Sequence, residues 1–438
     1  MSTALWGSLL PRLVAHGLLD GDATLTGRVT VESRDRSHHV AVIRQGARAV
    51  CVAKHHRDSP DPGDPSDTEV AVYRWLATHP RLGGPARDPS GAAGPGPAVA
   101  PGEEAGPAVA PGEEAAPAVA PGEAASPSVT PGEEAGPAVA PGEEASPSVT
   151  PGEEAGPAVA PALLDVAGDT LLLEACVDDL PLHLALRDAT WPPATLLAAL
   201  GHLLGRLHAA DDPPHHLGES AGGAAGDRGT APPAPGTPWV VAVADGVLPP
   251  SLAGDGRIAE LAGEVAGDPG LADCLRALGA RWPGGPAGRA AAAPQAVLVH
   301  GDVKFDNVLV QGAPGPAGAA ALPRLRLLDW ELAGPGLAAW DLAGIADGLL
   351  VPALQVLPTA QALRERDHAQ PALDAHRAVP GAPRIDAQDL RIATVARLVQ
   401  SAIQLLAMRH QQPGREAAVA PVLAGARALA QPRMAAAV

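Results

Sequence analysis

Between Gly96 and Ala155 the chain repeats a decapeptide of the form Gly/Ser/Ala-Pro-Ala/Ser-Val-Ala/Thr-Pro-Gly-Glu-Glu/Ala-Ala in six complete copies, with a partial copy after them. Two prolines and a glycine in every ten residues exclude helices and central strands. One valine per unit cannot offset the entropy of ordering, and it provides no apolar face for stacking as a solenoid requires. The stretch is expected to be an acidic, extended, disordered insertion with polyproline character and no catalytic duty. Any core must therefore come from the chain before and after it.

Charge has to be read with that insertion set aside. The formal value is −18, from 49 acids against 31 bases, but eleven of the acids are glutamates of the repeat and without them the excess is −7. No basic surplus points to nucleic acid. No amphipathic basic helix or run of spanning length points to a membrane. Aromatic residues are 2 % of the chain, so the core is expected to be aliphatic. Cys51, Cys176 and Cys274 are scattered and read as reduced core residues, and the N-terminus has no basic leader region; both suggest the cytoplasm.

Val297 to Val310 reads Val-Leu-Val-His-Gly-Asp-Val-Lys-Phe-Asp-Asn-Val-Leu-Val, two β-prone runs around a polar loop. The pattern predicts strand, loop and strand, the loop held rigid in a hairpin. Inside it, His300, Asp302 and Asn307 keep the spacing His-x-Asp-x4-Asn. Leu325 to Leu328 is a mostly apolar strand ending on Asp329, followed by Trp330-Glu331, and Trp340-Asp341-Leu342-Ala343 opens an apolar helix. Earlier, Ala49 to Ala53 forms an apolar strand ending on Lys54, and Glu69 begins a segment of helical periodicity. Taken singly these could be a polar turn, a lysine at a strand edge and a helix cap. Further helices are expected near 4–16, 195–209, 257–266, 271–282 and 387–409, the last capped by Asp386. Hairpins are expected at 29–43 and 161–174.

His-Gly-Asp-x4-Asn, Asp-Trp-Glu and Trp-Asp-Leu-Ala, in that order, resemble the aminoglycoside phosphotransferase family of kinase-like enzymes, firmly from Val297 to Ala343 and loosely elsewhere. The resemblance implies an α+β, two-lobed protein-kinase-like fold. Its small β-rich N-terminal lobe would cover 1–174, interrupted by the insertion at 92–160, and a larger, mostly helical lobe would cover 175–438. It implies ATP and Mg2+ as cofactors, with the γ-phosphate of ATP moved to a substrate hydroxyl. In that chemistry Asp302 takes the acceptor's proton, Lys304 reaches the γ-phosphate, and Asn307 and Asp329 hold magnesium. Lys54, paired with Glu69, steadies the α- and β-phosphates. Ser37, in the first hairpin, cradles phosphate, and Glu174 and Cys176 flank the hinge that binds adenine through its backbone. His300 and Asp341 brace the catalytic loop, His208 is a core residue, and Asp306 is exposed.

Two features depart from the family. Gly336-Leu337-Ala338 stands where relatives often carry Gly-Asp-Pro, and the phosphate hairpin is poor in glycine. The acceptor is left open between a small molecule such as an aminoglycoside and a Ser/Thr-containing peptide. The second choice follows from Asp-Trp-Glu-Leu-Ala-Gly, His-Gly-Asp-Val-Lys and Pro238-Trp239-Val240. These resemble a branch found in lanthipeptide-type pathways, whose members phosphorylate a ribosomal precursor peptide. A pseudokinase scaffold is the non-enzymatic alternative, and the intact Lys54, Asp302, Asn307 and Asp329 set argues against it. Oligomeric state is not legible.

Overall fold

The computed structural model describes residues 3–26, 28–33, 39–55, 65–79, 82, 158–167, 170–176, 179–188, 191–210, 236–283, 296–311, 322–410, 412 and 414–431. They all belong to one compact unit, Met1–Ala86 with Ala155–Val438. The repeat from Gly96 to Ala155 and Ser37 lie outside the described residues, and the expectations placed on them stay there.

The first part of the chain builds an antiparallel sheet. Helix α1 (Thr3–Ala15) is followed by β1 (Val29–Ser33), β2 (His39–Gln45), β3 (Arg48–His55), α2 (Pro65–Thr78), β4 (Leu163–Ala167) and β5 (Thr170–Glu174), in strand order β1-β2-β3-β5-β4. The turn between β2 and β3 holds Gly46 at φ 60°, a conformation open to glycine at no steric cost. Both faces of the sheet are covered, so β5 is a continuous apolar run and not an alternating one. Leu172 packs with Leu9 and Leu13 of α1, while Leu171 and Leu173 pack with Val72, Tyr73 and Leu76 of α2.

The later chain is mostly helical. It contains β6 (Leu180–Pro181), α3 (Pro193–His208), α4 (Gly256–Gly267), α5 (Pro269–Arg281), β7 (Val297–Val299), β8 (Val308–Gln311), β9 (Arg324–Leu327), β10 (Gly334–Gly336), α6 (Ala338–Val356), α7 (Gln370–Ala378), α8 (Ala387–Ala407) and α9 (Val419–Ala430). The apolar run from Trp239 winds into a 3-10 helix, Trp239–Asp245, after Pro238. Asp386 caps α8 by accepting from the amides of Gln388 and Asp389. The leucine stripe of α3 joins α2, β5 and β8 in one core, and a second core lies among α4, α5, α6, α8 and α9. This is the two-lobed, α+β, protein-kinase-like arrangement expected from the motifs.

One expectation is corrected. The strands flanking the polar loop do not form a hairpin with each other. β7 pairs with β10, whereas β8 pairs with β6 and β9. The loop between them therefore crosses from one small sheet to another, and rigidity has to come from side chains packed beneath it.

Candidate active site

The lysine at the end of β3 organises the first half of the site. Lys54 Nζ donates to Glu69 Oε2 at 2.7 Å and to Asp329 Oδ1 at 2.5 Å. Glu69 is fully buried on α2 and also accepts from the Trp330 amide at 3.4 Å. Burial pulls the Lys54 ammonium toward a lower pKa, but the Glu69 and Asp329 carboxylates outweigh it and the net shift is upward. A cation held by two carboxylates from distant parts of the chain joins β3, α2 and the strand end at Asp329.

The second half is the loop from His300 to Asn307. Asp341, in the first turn of α6 and fully buried, accepts from the His300 amide at 2.7 Å and the Gly301 amide at 3.0 Å. It is a loop anchor and not a helix cap, since the cap position is Leu337. Beneath it, His208 Nε2 lies 3.2 Å from Asp341 Oδ2, and His208 Nδ1 lies 3.0 Å from His376 Nε2. With both rings neutral, the chain is satisfied when His376 Nε2–H donates to His208 Nδ1 and His208 Nε2–H donates to Asp341. Burial pushes His376 down to about 3, in keeping with a neutral ring. Burial acts to raise the Asp341 carboxyl, but His208 and His300 outweigh it and the net shift is downward.

His300 braces the loop from the other side. Its Nε2–H donates to the Leu328 carbonyl at 2.8 Å, leaving Nδ1 to accept from the Asp302 amide at 3.3 Å. Gly301 has φ 83°, and a Cβ there would collide with the Leu332 carbonyl, so only glycine fits. The Gly301 carbonyl accepts from Trp340 Nε1 at 2.8 Å and from Arg397 at 2.9 Å.

At the loop's working face, Asp302 Oδ2 accepts from Lys304 Nζ at 2.9 Å and from Asn307 Nδ2 at 3.2 Å. Asp302 Oδ1 is buried without a hydrogen-bond donor among the described residues. The Leu328 amide donates to the Asn307 carbonyl at 2.8 Å, which sets Asn307 beside the strand end that carries Asp329. Asp329 is the one non-glycine residue at positive φ among the described residues, 67°, and its side chain is 29 % exposed. A carboxylate and an amide oxygen are hard donors suited to Mg2+. With its NH2 turned to Asp302, the Asn307 amide oxygen is left over for such an ion, so the residues present fit it.

Other expected residues fall as follows. Asp306 is 57 % exposed and pairs with His183 at 2.6 Å. Glu174 and Cys176 sit at the end of β5, where both are engaged by Arg326 of β9, at 2.9 Å and 2.8 Å. Burial pushes the Cys176 thiol up to about 11. Arg326, His376, Arg397, Asp347 and Ser401 were not singled out from the sequence. A signal for two of them existed: Thr394, Arg397 and Ser401 make a polar stripe at i, i+3, i+7 within the mainly apolar stretch 392–403.

No protein-family model and no curated protein matches the sequence. Solved structures do resemble the chain. A choline/ethanolamine kinase family protein from Mesorhizobium loti is 13 % identical, covers 96 % of this chain and 95 % of its own, and gives a TM-score of 0.46. An ethanolamine kinase from Plasmodium vivax gives 9 %, 97 %, 87 % and 0.48. A macrolide 2′-phosphotransferase from Brachybacterium faecium gives 18 %, 95 %, 97 % and 0.42. At these identities and TM-scores the likenesses carry no functional argument, and the function is argued from the site's own geometry.

Proposed function

We propose that the protein is an ATP- and Mg2+-dependent phosphotransferase that moves the γ-phosphate of ATP to a substrate hydroxyl. The observation that carries the reading is the convergence of Lys54, Glu69 and Asp329 beside a loop that presents Asp302 and Asn307. Asn307 and Asp329 would hold magnesium, which when bound neutralises charge on the phosphates. Lys54, steered by Glu69, holds the phosphates, and its contact with Asp329 keeps the two ends of the cleft in register. Asp302 orients the acceptor hydroxyl and receives its proton. Lys304, with 41 % of its side chain exposed, turns from Asp302 to the γ-phosphate. Covalent work for the protein is slight, so rate comes from positioning and charge.

We place the adenine end at the β5 exit, where Arg326 engages the side chains of Glu174 and Cys176. The acceptor is a hydroxyl compound, either a small cationic molecule or a Ser/Thr side chain of a peptide. The exposed Lys304, two residues after the base, is the feature that favours the peptide. An ATP-consumption screen of aminoglycosides and other amino alcohols, run beside a peptide encoded next to this gene, tests both. Turnover of a small alcohol with kcat/KM above about 10⁴ M⁻¹s⁻¹ would remove the peptide reading. No ADP release with any acceptor, and no binding of Mg·ATP, would remove the phosphotransferase reading itself.

A further inference from the structure

Helix α8 brings one buried charge to the catalytic loop. Arg397 is 3 % exposed, its guanidinium lies 4.0 Å over the Trp340 ring, and it donates to the Gly301 carbonyl at 2.9 Å and to the Trp340 carbonyl at 3.4 Å. Its remaining nitrogen, Nη1, stands 3.6 Å from Asp302 Oδ1. That is the oxygen left without a hydrogen bond, because Lys304 and Asn307 both engage Oδ2. On the adjoining turn of α6, Asp347 accepts from Ser401 of α8 at 3.0 and 2.9 Å, and its charge also faces Arg397. Burial pulls the guanidinium's pKa down, opposed by Asp302, Asp341 and Asp347.

A buried guanidinium is costly to desolvate, and none of the roles assigned above requires one. Its position becomes intelligible during turnover, and here the inference rests on the phosphotransferase reading. If Lys304 moves to the γ-phosphate, one of the two donors that now hold Asp302 Oδ2 is drawn away and the Asn307 NH2 alone remains on that oxygen. Arg397 stays, anchored by two backbone carbonyls and the Trp340 ring. We propose that Arg397 is a positioning residue for the transfer step, which holds the Asp302 carboxylate by its Oδ1 edge and the loop by the Gly301 carbonyl while Lys304 serves the nucleotide. A lysine in its place keeps the charge but lacks the planar fork needed to reach both targets.

The test compares Arg397→Met and Arg397→Lys in the wild-type and Asp302→Asn backgrounds. Two readouts are taken: ADP release from Mg·ATP, with water as acceptor, and calorimetric binding of Mg·AMP-PNP. Arg397→Met is expected to lower kcat about 10- to 100-fold, the loss typical of a misplaced reacting group, while nucleotide affinity is unchanged. Arg397→Lys recovers only part of that loss. In the Asp302→Asn background Arg397→Met costs nothing more, because the group it acts through has gone. An undiminished kcat in Arg397→Met would overturn the proposal, as would a full multiplicative loss on top of Asp302→Asn. Should Arg397→Met fail to fold, Arg397→Lys and Arg397→Gln carry the same comparison. If the wild-type protein neither binds Mg·AMP-PNP nor releases ADP, the phosphotransferase reading falls and takes this proposal with it, an outcome distinct from a normal variant in an active protein.

Discussion

Asp329 sits at φ 67°, a left-handed conformation that costs a non-glycine residue about 1–3 kcal/mol and persists only where the surroundings impose it. Here the surroundings are the end of β9 and the Lys54 ammonium, which holds the carboxylate at 2.5 Å. Asp329→Asn should therefore weaken Mg-dependent binding of AMP-PNP, whereas Asp302→Asn should leave that binding intact and cut kcat/KM about 10²- to 10⁴-fold. Calorimetry and steady-state ADP release separate the two, and equal loss of binding in both variants would contradict the division of labour. Asp347 gives a second residue-level expectation. Burial raises its pKa from 3.8 to about 6, against Arg397 and Ser401, which lower it. A folded value above the unfolded one means that the protonated group favours folding below pH about 4, a contribution lost as pH rises to about 6. His376 has the opposite sign, its folded pKa being depressed, so variants must be compared and not the raw curve. In Asp347→Asn, stability at pH 7 relative to pH 4.5 should be higher than in the parent, as read by urea unfolding. Identical pH dependence in the two proteins would show that Asp347 is not held as described.

At the scale of elements, the polar loop owes its rigidity to helices beneath it. α6 supplies Asp341 and Trp340, α8 supplies Arg397, and α3 and α7 supply the two histidines behind Asp341. Close approach of those helices depends on missing side chains. A Cβ on Gly201 of α3 would collide with the Ala372 carbonyl of α7, and one on Gly344 of α6 with the Val303 carbonyl of the loop. Gly201→Ala should cost about 1–3 kcal/mol, as overpacking does. Gly263→Ala, in α4 with nothing within 4 Å of the added methyl, should instead stabilise by about 0.5–1 kcal/mol. Urea denaturation of the two variants reads both signs, and a stabilised Gly201→Ala would contradict the α3–α7 packing. α8 shows how composition misleads at this scale. Ala387–His410 is long and apolar enough to cross a membrane, with mean hydropathy 1.2, yet 72 % of that window is buried in the fold, with Arg397 inside it.

At the scale of the whole molecule, described residues from before and after the repeat meet in one place. The Val159 amide donates to the Leu82 carbonyl at 2.7 Å, and the Val159 carbonyl accepts from the Leu327 amide at 2.7 Å. Leu82 and Val159 are thus tied together without the repeat. Replacing 96–155 with a short Gly/Ser linker should change stability by no more than about 2 kcal/mol, because closure entropy grows only logarithmically with loop length. Melting temperature and AMP-PNP affinity check it, and a large fall in either would mean that the repeat has a docking role.

Strands, helices and their order were legible from periodicity, because burial on one face or two leaves a local trace that residues at i+2 or i+3 and i+4 share. The loop motif was legible for the same reason: His300, Asp302 and Asn307 lie close in the chain, and Gly301 is required by a backbone angle at that one position. Lys54, Glu69 and Asp329 could be named from the sequence only through resemblance, since 275 residues separate Lys54 from Asp329 and no local pattern links them. The hairpin expected across the loop failed because strand pairing is a non-local choice. β7 found β10 and β8 found β9, partners the intervening residues do not encode. His376 and Arg326 belong wholly to tertiary structure, and the polar stripe on α8 marks Arg397 without saying what it meets. Each is a polar group whose meaning comes from the buried carbonyl, carboxylate or ring that packing places against it.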